Sequence, residues 1–354
     1  MAEKSITLTL RADTFSGNLP HSTVWLLTDC MEFRGKQDLW THRKPEVLAA
    51  LREQAIIQSV ESSNRIEGVT VAPDRLRPLV LGHARPRDRS EEELAGYRKA
   101  LNWIFTRKSP AHIDTRTILH LHAMAQGGMS GDAGRFKSKD NEIIELRPGV
   151  GRIVRFRPTP AKQTPGAVRR LCDTYQQFIE EEAVPPLMLV ATFVFDFLCI
   201  HPFRDGNGRV SRLLTALLLQ QQGFVVGRFV SLERLVEDSK EDYYRALGTC
   251  SRNWAEGRNE IAPWWNYFLT IVRRAYVEFA EKVERATPRG AKSELARQAA
   301  LAQVGSFTLA DLKAQVPSAS PQLLKKVLAT MKKEGSVKVM GHGRSARWEV
   351  TSSN

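Results

Sequence analysis

The longest apolar run of the chain covers residues 187–200 and is broken by a single charge, Asp196, after prolines at 185 and 186. It is too short to cross a bilayer, which takes about 20 residues, and predicts a core helix. A second apolar helical stretch, residues 210–223, follows after a polar interval of the chain. Far upstream, Val47, Leu48, Leu51, Ala55 and Ile56 recur at helical spacing in a run that opens near Pro45 and closes at Gly68. From about residue 91 to 285 helical patterns dominate, with caps and breaks at Asp114, Pro165, Gly223 and Pro263. Residues 141–145 and 152–156 alternate as strands, and residues 5–10 read as a further short strand. Residues 75–90 are rich in Arg and Pro and read as a connection, and residues 287–291 as a hinge. Beyond about 290 a separate pattern begins. A helix over 293–303 precedes one opened by Thr308, whose hydroxyl stands three residues before Asp311 at capping-box spacing. A third helix runs from Ser320 to Glu334 and stops at Gly335. Extended runs 336–340 and 346–350 flank Gly341-His-Gly-Arg-Ser. The expected fold is mainly α, in three parts: 1–90, 91–286 and 290–354.

The polar interval carries the chemistry. Residues 201–212 read His-Pro-Phe-Arg-Asp-Gly-Asn-Gly-Arg-Val-Ser-Arg. A Gly-Asn-Gly between helices is by itself only a turn. A turn, however, requires neither the histidine, nor the aspartate, nor both arginines. Glycines let backbone N–H groups converge on an anion, and the start of a helix adds partial positive charge. Arg209 and Arg212, three apart, share one face of that helix. The loop reads as a polyphosphate site with a base beside it.

This loop resembles the signature of the Fic family, within the Fic/Doc superfamily, His-x-Phe-x-Asp/Glu-Gly-Asn-Gly-Arg-x-x-Arg, at every fixed position. The likeness extends over about residues 40–285. Residues 91–104 and 117–122 are similar to the family's first two core helices, and 242–247 to the helix after the active site. Gly134-Arg-Phe-Lys, Asn141 and residues 155–160 resemble the hairpin flap that holds the target, with Ile153, Val154, Arg155 and Phe156 on its target side. Lys137, where many relatives carry Arg, and a flap sequence of its own are departures that bear on target choice.

The resemblance implies transfer of AMP from ATP to a Ser, Thr or Tyr hydroxyl of a protein target, the chain itself included. Such a hydroxyl needs a base as the bond forms. His201 suits that part, since an ordinary imidazole titrates near pH ~6.5. Asp205 is the expected Mg²⁺ ligand, an ion held through one or two carboxylates and substrate phosphates. Gly206, Asn207 and Gly208 would cradle phosphates through their N–H groups. Arg209 and Arg212 would grip the outer phosphates, with Phe203 anchoring the loop by packing. In the kinase-like Doc branch a bulkier residue, commonly Lys, stands where this chain has Gly208. The glycine therefore favours nucleotidyl over γ-phosphoryl transfer.

A second motif, Ser63-Asn-Arg-Ile-Glu67-Gly68, ends the helical run that opens near Pro45. Alone it is a helix stop beside a solvated carboxylate. Beside the loop it resembles the family's inhibitory helix. Glu67 would pair with Arg212 in the place of the γ-phosphate, and Ser63 would orient it. In some relatives the same glutamate positions a water that removes AMP, a second activity that the sequence leaves open.

Composition adds limits. Of 354 residues, 42% are hydrophobic and 26% charged, as in an ordinary soluble protein. The formal net charge of +13 fits an acidic partner or nucleic acid, and also mere solubility. Cys30, Cys172, Cys199 and Cys250 are too scattered for a disulfide framework or zinc site, and Cys199 reads as core. The first residues lack the apolar stretch of a secretory signal, so the cytoplasm is the expected compartment and no membrane is expected.

Residues 290–354 resemble a winged helix-turn-helix domain, in which Lys325, Lys326, Lys332, Lys333 and Arg344 would face phosphates. They read equally as a solvated face on a protein-docking module. Nothing at the start of the third helix compels base readout. Two functions therefore stand side by side: an autoinhibited AMP transferase, and a nucleotide-sensing regulator that binds DNA through its last domain. The full set of His201, Asp205, Arg209 and Arg212 favours the transferase, because a sensor needs no base. Pairing into a homodimer, common among such cores, is left open by the sequence.

Overall fold

The computed structural model of the protein describes residues 6–41, 45–107, 109–127, 131–147, 151–285, 291–301, 303, 306–317, 319–341 and 346–351. The chain divides into two compact units between Glu281 and Lys282.

Among the described residues, the regular structure of the first unit is helical apart from one hairpin. A short turn, α1 (Ala12–Phe15), leads into α2 (His21–Thr41), α3 (Pro45–Ile66), α4 (Pro73–Leu81), α5 (Arg89–Thr106) and α6 (Thr115–Gln126). The hairpin β1 (Ile143–Arg147) and β2 (Gly151–Phe156) follows. Then come α7 (Thr164–Glu181), α8 (Pro186–Ile200), α9 (Asn207–Gln221), α10 (Leu232–Asp238), α11 (Lys240–Cys250) and α12 (Ala262–Arg285), whose last turn lies beyond the boundary. Every residue of α8 from Leu187 to Ile200 is buried. A helix apolar on all sides has no face to offer water, so it takes the centre, packed against α7 and α9. α3 packs against α10, α5 and α9, so the segment before residue 91 belongs to the same compact body as the rest.

Two expectations are corrected. Residues 6–10 form no strand. The N–H groups of Thr9 and Leu10 donate instead to Asp196 Oδ1 (3.0 Å) and Oδ2 (2.8 Å), and Trp254 Nε1 donates to Oδ1 at 2.7 Å. The lone charge of the apolar run is thus a buried acceptor that fastens the leading segment to the core. Residues 75–90, read as a connection, include most of α4. Pro73 stands in the first turn of that helix, where a missing N–H costs nothing, and Leu79 and Val80 are buried. Arg75 joins it to α5 through Glu91, Nη2 to Oε2 at 2.8 Å.

The hairpin pairs antiparallel from Ile143↔Phe156 to Arg147↔Gly151, with an irregularity between Ile143 and Ile144. The second unit contains α13 (Ala291–Leu301), β3 (Ser306–Thr308), α14 (Leu309–Gln315), α15 (Pro321–Lys333), β4 (Val337–Met340) and β5 (Arg347–Val350). Its antiparallel sheet has the order β3-β5-β4, and β3 is a strand the sequence pattern did not suggest. Phe307, Leu312, Leu324, Leu328, Met331 and Val337 form its core. The capping box of Thr308 and Asp311 is formed as expected. Residues 287–290 of the expected hinge and 342–345 of the expected tip, Arg344 included, lie outside the described residues.

Candidate active site

α8 ends because His201 takes a left-handed backbone, φ 50, with its N–H returning to Phe197 O at 2.9 Å and Pro202 following. His201 Nδ1 lies 3.3 Å from Leu198 O. A carbonyl only accepts, so Nδ1 holds the proton and the lone pair of Nε2 is free to act as a base. Burial and then the charge of Lys137 pull the His201 pKa down to about 4, which keeps the ring neutral at pH 7. Lys137 is itself held in place. Its Nζ donates to Asn141 Oδ1 (2.8 Å) and Ile200 O (3.3 Å), and its N–H donates to Pro202 O at 2.9 Å. Burial lowers its pKa to about 8.

Beyond Pro202 the loop is closed by side chains. Asn207 Oδ1 accepts from Phe203 N–H (2.9 Å) and its Nδ2 donates to Phe203 O (2.8 Å). Phe203 is fully buried and stacks on His122 at 3.7 Å. Gly134 N–H donates to His122 Nδ1 at 3.0 Å, so Nε2–H donates to Asp205 O at 3.2 Å. Burial lowers the His122 pKa to about 4, in keeping with a neutral ring. Gly206, at φ 81, passes close to Gln126 and starts α9. The Asp205 carboxylate is 47% exposed, with Oδ2 3.0 Å from Arg89 Nη2.

The two arginines diverge rather than sharing a face. Arg209 is 2% exposed, with Nη1 2.7 Å from Glu93 Oε2 and Nη2 donating to Gln126 Oε1 at 2.9 Å. Arg212 turns to α3. Its Nε donates to Ser63 Oγ (2.9 Å), and its Nη2 donates to Ser63 O (2.9 Å) and Glu67 Oε1 (2.8 Å). Burial alone would lower the Arg212 pKa, but Glu67 and Tyr97 raise it. Gly68, at φ 79, turns the chain after α3. The Glu67 carboxylate rests against Gly208, where a Cβ would overlap Oε1 and lie 3.0 Å from Cδ. Glu67 therefore sits where the N-terminus of α9 and Arg212 together attract an anion.

A cavity of about 380 Å³ is bordered by Glu67, Arg155, Phe156, His201, Gly208 and Arg212. Of the expected residues, Ser63, Phe203, Asp205, Gly206, Asn207 and Arg209 lie off its wall and support it. Val154 is exposed on the hairpin and Ile153 is half-buried. Tyr243 and Tyr244 also border the cavity and were not singled out from sequence. Glu93, His122 and Gln126 were missed as well. Each partners a loop residue from another helix, and only the i, i+4 spacing of His122 and Gln126 on one helix hinted at a common face. Among the described residues no cluster of three or more His, Cys, Asp or Glu is placed to hold a metal. One half-exposed carboxylate, Asp205, nevertheless fits Mg²⁺ that arrives with phosphate oxygens. Among the described residues no helix is long and apolar enough to cross a membrane.

Residues 112–219 match the family model described as Fic/DOC family. The chain is similar to Protein adenylyltransferase Fic of Nematostella vectensis, 26% identical over 207 residues, covering 55% of this chain and 43% of that protein. It is also similar to a Fido domain-containing protein of Dictyostelium discoideum, 30% identical over 89 residues, 25% of this chain and 58% of that protein. The matches thus span roughly half the length of these relatives. Among solved structures, a Fic family protein from Desulfovibrio desulfuricans G20 superposes with a TM-score of 0.61 at 20% identity, over 96% of this chain and 98% of that one.

Proposed function

We propose that this chain, which carries a Fic/DOC family domain over residues 112–219, is an autoinhibited transferase that moves AMP from ATP to a protein hydroxyl. The observation that carries the reading is the shared cavity: the free Nε2 face of His201, the start of α9 and Arg212 border one space, with Glu67 seated on the anion position. With Glu67 withdrawn, that position is open to phosphate. The target hydroxyl attacks the α-phosphorus and His201 Nε2 takes its proton. A new oxygen–phosphorus bond forms, the bond to the β-phosphate oxygen breaks, and pyrophosphate leaves against Arg212 and the first N–H groups of α9. Asp205 is the residue that would hold Mg²⁺, which when bound neutralises charge on the pyrophosphate. Arg209, buried against Glu93, braces the start of α9 rather than reaching outward. Arg155 and Phe156 border the cavity from the hairpin edge, where an extended target segment could add a strand.

The test is intact mass after incubation with Mg²⁺ and ATP, for wild type, Glu67→Gly and Glu67→Gly/His201→Ala. An AMP-sized increment confined to Glu67→Gly supports all three roles. An equal increment on wild type removes the inhibitory role, and one that survives His201→Ala removes the base. Absence of an increment, together with no calorimetric ATP binding by Glu67→Gly, overturns the reading.

A second reading, DNA binding by the last unit, is favoured by α15. That helix contains no acidic residue and exposes Lys325, Lys326, Lys332 and Lys333. Retention on duplex DNA that weakens steeply with salt and changes with ATP would support it. No retention at low salt would exclude it.

A further inference from the structure

We propose that Glu233, which lies off the nucleotide cavity, is a positioning residue that holds α3 and Arg212 in the inhibited arrangement; this rests on inhibition by Glu67. Glu233 stands in the first turn of α10 and is buried. Among the described residues no Lys or Arg forms an ion pair with it, and hydroxyls take that place. Tyr97 on α5 donates to Glu233 Oε1 at 2.9 Å. Ser59 Oγ on α3 lies 2.6 Å from Oε2, and Ser231 Oγ lies 3.3 Å from it.

The direction of the protons follows from what each group can do. An arginine Nε only donates, so Ser63 Oγ accepts from Arg212 and has its own proton left to give. The Tyr97 hydroxyl gives its own proton to Glu233 Oε1. On the other arm, Arg234 N–H donates to Ser231 Oγ at 3.0 Å, and the Ser59 hydroxyl, 2.9 Å from Ser231 Oγ, donates to Glu233 Oε2 at 2.6 Å. Glu233, a carboxylate that only accepts, is the common acceptor that ties the hydroxyls of α5 and α3 to α10.

Ser59 and Ser63 are four residues apart and share one stripe of α3, and Glu67 follows in the turn that ends the helix. Ser59, Ser62 and Ser63 are buried, although serines on a helix of modest amphipathicity would ordinarily face water. Buried hydroxyls require partners. This stripe has two: Arg212, at the cavity, and Glu233, at the opposite end of the network. Without the second, the Ser59 and Tyr97 hydroxyls lose their acceptor, α3 docks less tightly, and Glu67 leaves Arg212 more often.

The test uses the full chain. Glu233→Gln and Tyr97→Phe are each made in wild type and in Glu67→Gly, and AMP incorporation with Mg²⁺ and ATP is measured beside hydrogen exchange of residues 59–67. Each is expected to raise incorporation about five-fold in the Glu67 chain, the effect of one net hydrogen bond. Neither should change it beyond about two-fold in the Glu67→Gly chain, where nothing is left to release. Exchange in residues 59–67 should quicken while α8 does not change. Ser59→Ala, which removes one hydroxyl and neither ring nor charge, serves where the others melt below the assay temperature. No rise in the Glu67 chain while Glu67→Gly itself is activated overturns this inference and leaves the autoinhibited transferase standing. An equal fall in both backgrounds also overturns it. If Glu67→Gly is no more active than wild type, inhibition itself fails, and the inference with it.

Discussion

At the residue scale the ring of His201 decides the pH behaviour. Its pKa is lowered, so the folded chain resists a proton that the unfolded chain takes up near pH ~6.5. The kcat/KM of Glu67→Gly should therefore hold its His201-dependent acid limb at or below about pH 4, because the lost Glu67 charge raises the His201 pKa where present. Removal of the neighbouring cation in Lys137→Met should move that limb upward, because a positive neighbour disfavours the imidazolium. A limb near 6.5 in both proteins would contradict this. His122 is lowered in the same way. Stability should thus fall as pH drops below about 6.5, where the unfolded state binds protons that the folded state refuses until about 4. Gly208 gives a second test. Gly208→Ala should cost about 1–3 kcal/mol, since its Cβ meets the Glu67 carboxylate, and adding Glu67→Gly should recover much of that loss. Additive losses in denaturant melts would mean that the two do not touch. His201, Gly208 and Arg212 were legible from sequence because they fall in one contiguous loop. Their pKa values and contacts were not, because Lys137 and Glu67 reach them from distant segments.

At the element scale the leading segment depends on α8 through Asp196. Asp196→Ala should leave three buried donors without an acceptor, cost on the order of 3 kcal/mol, and expose the segment around residues 6–15 to protease. Unchanged melting would show that the tie is dispensable. The α4–α5 joint carries its own pH signature. Arg75 holds Glu91 down to about 2. This pair therefore contributes fully above the ordinary carboxylate range and is lost as pH falls toward 2. Arg75→Ala should remove that part of the acid response in a melt series between pH 2 and 5. α4 was illegible because Arg and Pro read as linker composition, whereas its buried Leu79 and Val80 are satisfied only by the neighbouring helices. The strand expected at residues 5–10 failed for a related reason: its donors found a carboxylate rather than a second strand.

For the whole molecule, two compact units, the second with its own core, should unfold in two calorimetric steps. Mg²⁺ with ATP should raise only the step of the first unit, and more in Glu67→Gly than in wild type, because only a state that binds ligand gains stability. One cooperative step shifted as a whole would mean that the units unfold together.

What the sequence determined by itself was whatever is periodic or contiguous. The buried α8 followed from its apolar run, the helical character of the first unit from its patterns, the capping box at Thr308 from its spacing, and the grouping of His201, Gly208 and Arg212 from twelve adjacent residues. The tertiary structure decided what depends on approach between distant segments: that Arg209 turns to Glu93 and Arg212 to α3, that Asp196 anchors the start of the chain, and that Glu233 terminates the hydroxyl network. The physical reason is common to these cases. A buried polar group must find its partner wherever packing places one, and neither helical period nor local spacing encodes that meeting.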